Sequence, residues 1–117
     1  MTDWLPNAQL AIIDERKITE YLLATSHSAG GAKPEFFARF GFTSATWQRL
    51  RDALLDHAGS ARLVTAVETQ FGKKYILEGP LIAADGRKPR VRTVWFITAG
   101  EVAPKFVTAY PVPGARR

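Results

Sequence analysis

The spacing of apolar residues along the chain changes once, near residue 60. Before that point apolar positions recur every three to four residues, the period of a helix; after it they alternate, the period of a strand. Behind Asp14, a good N-cap, and Glu15, which suits the positive end of a helix dipole, Ile18, Tyr21 and Leu22 fall on one helical face. This helix is predicted to stop near Ala24, because residues 25–31 are small, polar and include Gly30 and Gly31. Upstream, Leu10 to Ile13 reads as an edge strand or an extended lead-in, bounded by Pro6. Pro34 suits the first position of a second helix, with Phe36, Phe37 and Phe40 as its buried face and Gly41 as terminator. Thr43 or Ser44 caps a third helix running to about His57, with Trp47, Leu50, Leu54 and His57 on one stripe and Gly59 at its end.

Beyond Ala61 the alternation and the β-branched and aromatic residues predict four strands: Leu63 to Gln70, Tyr75 to Ala83, Val91 to Thr98 and Phe106 to Tyr110. Gly72, Asp85-Gly86, and Gly100 with Pro104 supply the turns between them. The expected fold is therefore α+β, with about three N-terminal helices packed on one face of a C-terminal four-stranded antiparallel sheet. A single domain is expected over 1–117, its helical half at about 14–58 and its β-meander at about 61–111.

Composition agrees with a packed globule: 46% of residues are apolar and 11% aromatic, too many for a chain that stays disordered. No apolar run approaches the roughly 18 residues of a membrane span, and the first ten residues lack the pattern of a signal peptide. A cytoplasmic protein without membrane association is expected, with secretion by another route left open. The chain has no cysteine, which removes disulfides, thiolate nucleophiles and cysteine-based zinc sites.

The formal charge of +5 is unevenly placed. Residues 1–60 carry six Lys and Arg against seven Asp and Glu, whereas residues 61–117 carry ten against four. The positive field thus belongs to the strands, where it attracts a polyanion such as RNA or serves solubility alone.

Several chemistries are disfavoured. His27 and His57 are far apart and have no metal-ligand spacing, and there is no Gly-x-Ser-x-Gly elbow, dinucleotide fingerprint or P-loop, so no metal or cofactor is expected. His57, at a helix end, reads as an imidazolium stabilised by the dipole, and Trp4, Trp47 and Trp95 read as core anchors.

Two groups of residues remain. In the loop from His27 to Lys33, Gly30 and Gly31 let backbone amides approach a ligand, Lys33 adds a cation and Pro34 opens a helix, an arrangement that suits a phosphate or simply makes a turn. On the third strand Arg90, Arg92, Val94 and Phe96 share one face, and on the fourth Phe106, Thr108 and Tyr110 do so. If the two strands pair, Arg92, Thr108 and Tyr110 meet on one face, a trio suited to holding and cleaving a phosphodiester. The alternative is that Arg92 and Thr108 are ordinary strand residues and that Tyr110 caps the core.

The stretch LPNAQLAIIDERKITEYLL, His27 with Gly30-Gly31-Ala32-Lys33 and Phe36-Phe37, Gly41-Phe42, TVWFI and FVTAYPV together resemble an uncharacterised bacterial domain family. Its members occur as short proteins and at the C-termini of polymorphic toxins. That family is in turn similar to the barnase, EndoU, colicin and RelE group of metal-independent RNases. The resemblance implies N-terminal helices on a four-stranded sheet, with His27 as general base or acid, Lys33 and Arg92 holding the phosphate, and Thr108 with Tyr110 orienting it. The basic-Ser-Thr stretch that often precedes the final Tyr-Pro of that group is here Lys105-Phe106-Val107-Thr108, a departure. A binding module for nucleic acid, or for a protein partner of immunity or antitoxin type, is the alternative function.

Overall fold

A computed structural model describes residues 3–23, 32–83 and 85–112. The four strands, β1 (Arg62–Thr69), β2 (Gly72–Pro80), β3 (Arg90–Thr98) and β4 (Lys105–Pro111), form one antiparallel sheet in the order β1-β2-β3-β4.

The helical half corrects the expectation of three N-terminal helices. The first is a single α-helical turn, α1 (Glu15–Lys17), which widens at once into a π-helical stretch over Ile18–Leu22. Asp14 does cap it, accepting from the Arg16 amide at 2.9 Å. A 3.6-residue pattern cannot register the switch to the wider turn. Closing that turn with the Leu23 amide on the Ile18 carbonyl (2.9 Å) accompanies burial of Ile18, Leu22 and Leu23 together. Helix α2 (Ala32–Arg39) starts two residues before Pro34, which a first turn tolerates because its amides need no helical partner. Gly41, at φ 93°, ends that helix, and the Phe42 amide returns to the Phe37 carbonyl at 3.1 Å. The one long helix lies in mid-chain: a 3₁₀ turn, Ser44–Thr46, capped by Thr43, leads into α3 (Trp47–Ser60).

Helix α3 packs on one face of the sheet. Leu50, Leu54 and Ala58 from the helix, Leu77 from β2, Val91 and Trp95 from β3, and Phe106 and Ala109 from β4 make the core, with Phe37 and Phe42 at its other end. Trp95 and Phe106 stack edge to face with centroids 5.4 Å apart. Gly79 permits the close approach of the chain leaving α3, since a Cβ there would sit 3.1 Å from that of Ala61. The segment from Leu10 to Ile13 is a lead-in that makes one parallel bridge to the free edge of β4, the Ile12 amide bonding the Pro104 carbonyl and its carbonyl accepting from the Phe106 amide, both at 2.9 Å. No helix among the described residues is long and apolar enough to cross a membrane.

Candidate functional site

The other face of the sheet carries the charge. Strand register places Arg62, Glu78, Arg92 and Tyr110 in one row across all four strands. The next row is Thr65, Ile76, Val94 and Thr108, and the one after it Val67, Lys74, Phe96 and Lys105. Val94 is buried without joining the core cluster, as expected of a residue covered only by its neighbours on this face. Two bulges set this arrangement. One at Val64 keeps Arg62 and Thr65 on the same side, and one between Val94 and Trp95 in the pairing with β4 turns Phe106 inward. Phe106 therefore does not share a face with Thr108 and Tyr110, as simple alternation predicted, but lies opposite Trp95 in the core.

Glu78 is the centre of the row. It accepts the Arg92 Nε–H at 2.9 Å and pairs with the Arg90 guanidinium at 3.5 Å. The Arg92 hydrogen bond holds the Glu78 carboxyl below its ordinary range, against a smaller opposing effect of desolvation. The same bond raises Arg92 above its ordinary value, with a smaller contribution from the Tyr110 hydroxyl. At neutral pH the row is thus an ionised carboxylate between guanidinium groups, beside a phenol. Glu78 can accept a proton, and Arg92, with only its Nε committed to Glu78, has further N–H donors for a phosphate oxygen.

Of the residues singled out from the sequence, Arg90, Arg92, Thr108 and Tyr110 come together on this face. Tyr110 lies opposite Arg92 and does not cap the core. His27, Gly30 and Gly31 fall outside the described residues, and Lys33 is placed only as part of α2. Sequence reasoning missed Glu78 and Arg62. The signal for Glu78 was an acidic residue inside the apolar alternation Leu77-Glu78-Gly79, which a register count across the Asp85-Gly86 turn sets against Arg92.

His57 is corrected as well: it is not an exposed imidazolium but is fully buried between α3 and the sheet. Desolvation holds its pKa below the usual histidine value, opposed by hydrogen bonds to the Gly79 and Val91 backbone and by the charge of Asp56. The Gly79 carbonyl, 3.1 Å away, can only accept, so Nε2 carries the proton. Trp95 can only donate, so its Nε1–H goes to Thr93 Oγ1 (2.9 Å), and Thr93 gives its own proton to His57 Nδ1 (3.0 Å). This closed relay satisfies every member and fits a structural role.

Of the three tryptophans only Trp95 is fully buried. Trp47 is half-buried, with the Arg51 guanidinium 5.3 Å from its ring. Trp4 is 51% exposed, its ring 5.8 Å from the Arg62 guanidinium, which places it at the β1 end of the charged row.

The chain belongs to the family described as domain of unknown function DUF6883, whose model matches residues 4–113. Among solved structures it is similar to a chain of the contact-dependent growth inhibition toxin–immunity protein complex from Klebsiella pneumoniae 342. The TM-score is 0.68 at 16% identity, over 92% of this chain and 97% of that chain. At that identity the likeness is one of fold. No curated protein matches the chain.

Proposed function

We propose that this member of the DUF6883 family acts, as a single domain, as a toxin-related protein that binds RNA on the open face of its sheet and cleaves it without a metal. The observation that carries the reading is the row Arg62, Glu78, Arg92 and Tyr110, in which an ionised carboxylate stands among cations on an uncovered surface. The fold similarity to a chain from a toxin–immunity complex supports the toxin-related part.

Under this reading Glu78 takes the proton of a ribose 2′-hydroxyl, whose oxygen attacks the adjacent phosphorus. Arg92 and Arg90 hold the phosphate oxygens as charge builds on them. The bond from phosphorus to the 5′ oxygen breaks, leaving a cyclic phosphate. His27 returns a proton to the departing oxygen, Lys33 adds a cation, and Thr108 with Tyr110 orients the phosphate.

A second reading rests on a different observation. Strand β1 is exposed along nearly all of its length, with Val64 and Val67 on it and Phe71 beside it at the hairpin tip, 69% exposed. Such an edge suits pairing with a protein partner of immunity or antitoxin type.

The test is incubation of the pure wild-type protein and Glu78→Gln with total RNA in excess chelator. Cleavage by the wild type that drops at least about a hundredfold in Glu78→Gln is expected. Intact RNA in both would remove the enzyme reading and leave the partner-binding one.

A further inference from the structure

The charged row does not end at β1. The Asp3 carbonyl accepts the Leu63 amide at 2.8 Å, which ties the N-terminal segment to the outer edge of that strand just beyond Arg62. Trp4 follows directly, half its surface in solvent and its ring against Arg62. An indole this exposed buries little apolar area, and a cation–π contact at an exposed site contributes only about 0.5–1 kcal/mol of stability. Packing gives a weak account of why a tryptophan stands here.

Resting on the reading of the open face as an RNA surface, we infer that Trp4 is a base-stacking platform and that the ligand is single-stranded RNA. The sequence of groups across the sheet is then an aromatic face at Trp4, a cation at Arg62, the Glu78–Arg92 pair with Arg90, and the Tyr110 phenol. Strands in a sheet lie about 4.8 Å apart, so the row from β1 to β4 spans roughly 14 Å. A strand of RNA laid across it sets a phosphate on the arginines while a neighbouring base reaches the indole. Stacking needs an unpaired base with a free face, which a duplex does not present, and it tolerates any base identity. The charges fit one class of ligand: three arginines against one carboxylate favour a polyanion, and the aromatic end selects a polyanion carrying flat rings.

The test uses a 2′-O-methyl RNA oligomer, which lacks the attacking hydroxyl and cannot be cleaved, as a single strand and as the matched duplex. Binding is followed by fluorescence anisotropy of the labelled oligomer and by quenching of tryptophan emission. The variants are Trp4→Leu, Trp4→Phe and the double variant Arg90→Ala/Arg92→Ala, each checked for a wild-type melting transition. The single strand is expected to quench wild-type emission, Trp4→Leu to lose that quenching and about tenfold in affinity, and Trp4→Phe to recover most of it. Duplex affinity should not change in Trp4→Leu. If Trp4→Leu binds the single strand as the wild type does while the arginine variant loses it, the platform is wrong and the RNA surface stands. If the arginine variant also binds normally, or no variant nor wild type binds, both fall and a protein partner takes their place.

Discussion

The two faces of the sheet are made from alternate residues of the same four strands, yet they handle polar groups in opposite ways. On the covered face Trp95, Thr93, His57 and the Gly79 carbonyl form a chain in which each donor has one acceptor and no member is charged. On the open face Glu78, Arg90 and Arg92 keep their charges and remain partly in solvent. A buried polar group must be satisfied internally or it costs stability, so it is not available to a ligand. Exposed ion pairs contribute little to folding and can exchange partners. The difference locates the function: the histidine that looks catalytic by residue type belongs to the architecture, and the ion pair that looks ordinary is available for chemistry.

The sharpest way to break this comparison is to cut one residue from each face of β3. Trp95→Ala removes the largest buried side chain and leaves Thr93 Oγ1 without its donor, and is expected to cost about 3–5 kcal/mol in denaturant unfolding. Arg92→Ala, three residues away on the open face, is expected to cost less than about 1 kcal/mol. Equal costs for the two would mean that the open face is as much part of the fold as the core.

A smaller effect comes from proton binding by His57. Its folded pKa lies below that of the unfolded chain, about 6.5, because burial disfavours the imidazolium, and nearby Arg90 adds to this while Asp56 opposes it. The unfolded chain therefore takes up the proton first as pH falls. The stability that depends on neutral His57 is complete above about pH 6.5 and is lost progressively below it, toward the folded value. Denaturant midpoints between about pH 8 and about pH 5 should fall for the wild type and stay flatter in His57→Gln, whose amide can still donate to the Gly79 carbonyl. The difference between the two curves isolates His57, since the acids and His27 titrate in both. Parallel curves would show that the relay is not held in its neutral form.

How much of this was legible in the sequence follows from the same contrast. The four strands and their turns were readable because alternation and turn chemistry are local signals. The expected trio of helices failed where a local pattern was overridden: burial of Ile18, Leu22 and Leu23 together favours a π turn, and no 3.6-residue count contains that information. The bulge between Val94 and Trp95 had no signal either, and it moved Phe106 from the expected face to the core. Arg92 and Tyr110 were found from their strand parity, whereas Glu78 was missed because its meaning depends on a register between strands rather than on spacing within one. His57 was misread because helix-end position suggested an exposed charge, while its burial is decided by what packs against α3 from β2 and β3.

The smallest expected effect is also the most discriminating for the open face. Glu78→Gln removes the one carboxylate of the row and, with it, the charge that holds Arg92 and Arg90. If those arginines serve the fold, the variant should lose stability and bind RNA no better. If they serve a phosphate, releasing them from Glu78 should leave the unfolding midpoint within about 1 kcal/mol of the wild type. Affinity for an uncleavable RNA strand should then rise several-fold, because a repulsive negative charge has gone and the guanidinium groups face an anion without a competitor. Anisotropy titrations at low and at raised salt check this, since a gain that comes from phosphate contacts must shrink as salt rises. A fall in affinity would show that Glu78 positions the arginines rather than competing with the ligand for them, and would move the carboxylate from the chemistry of the face to its construction.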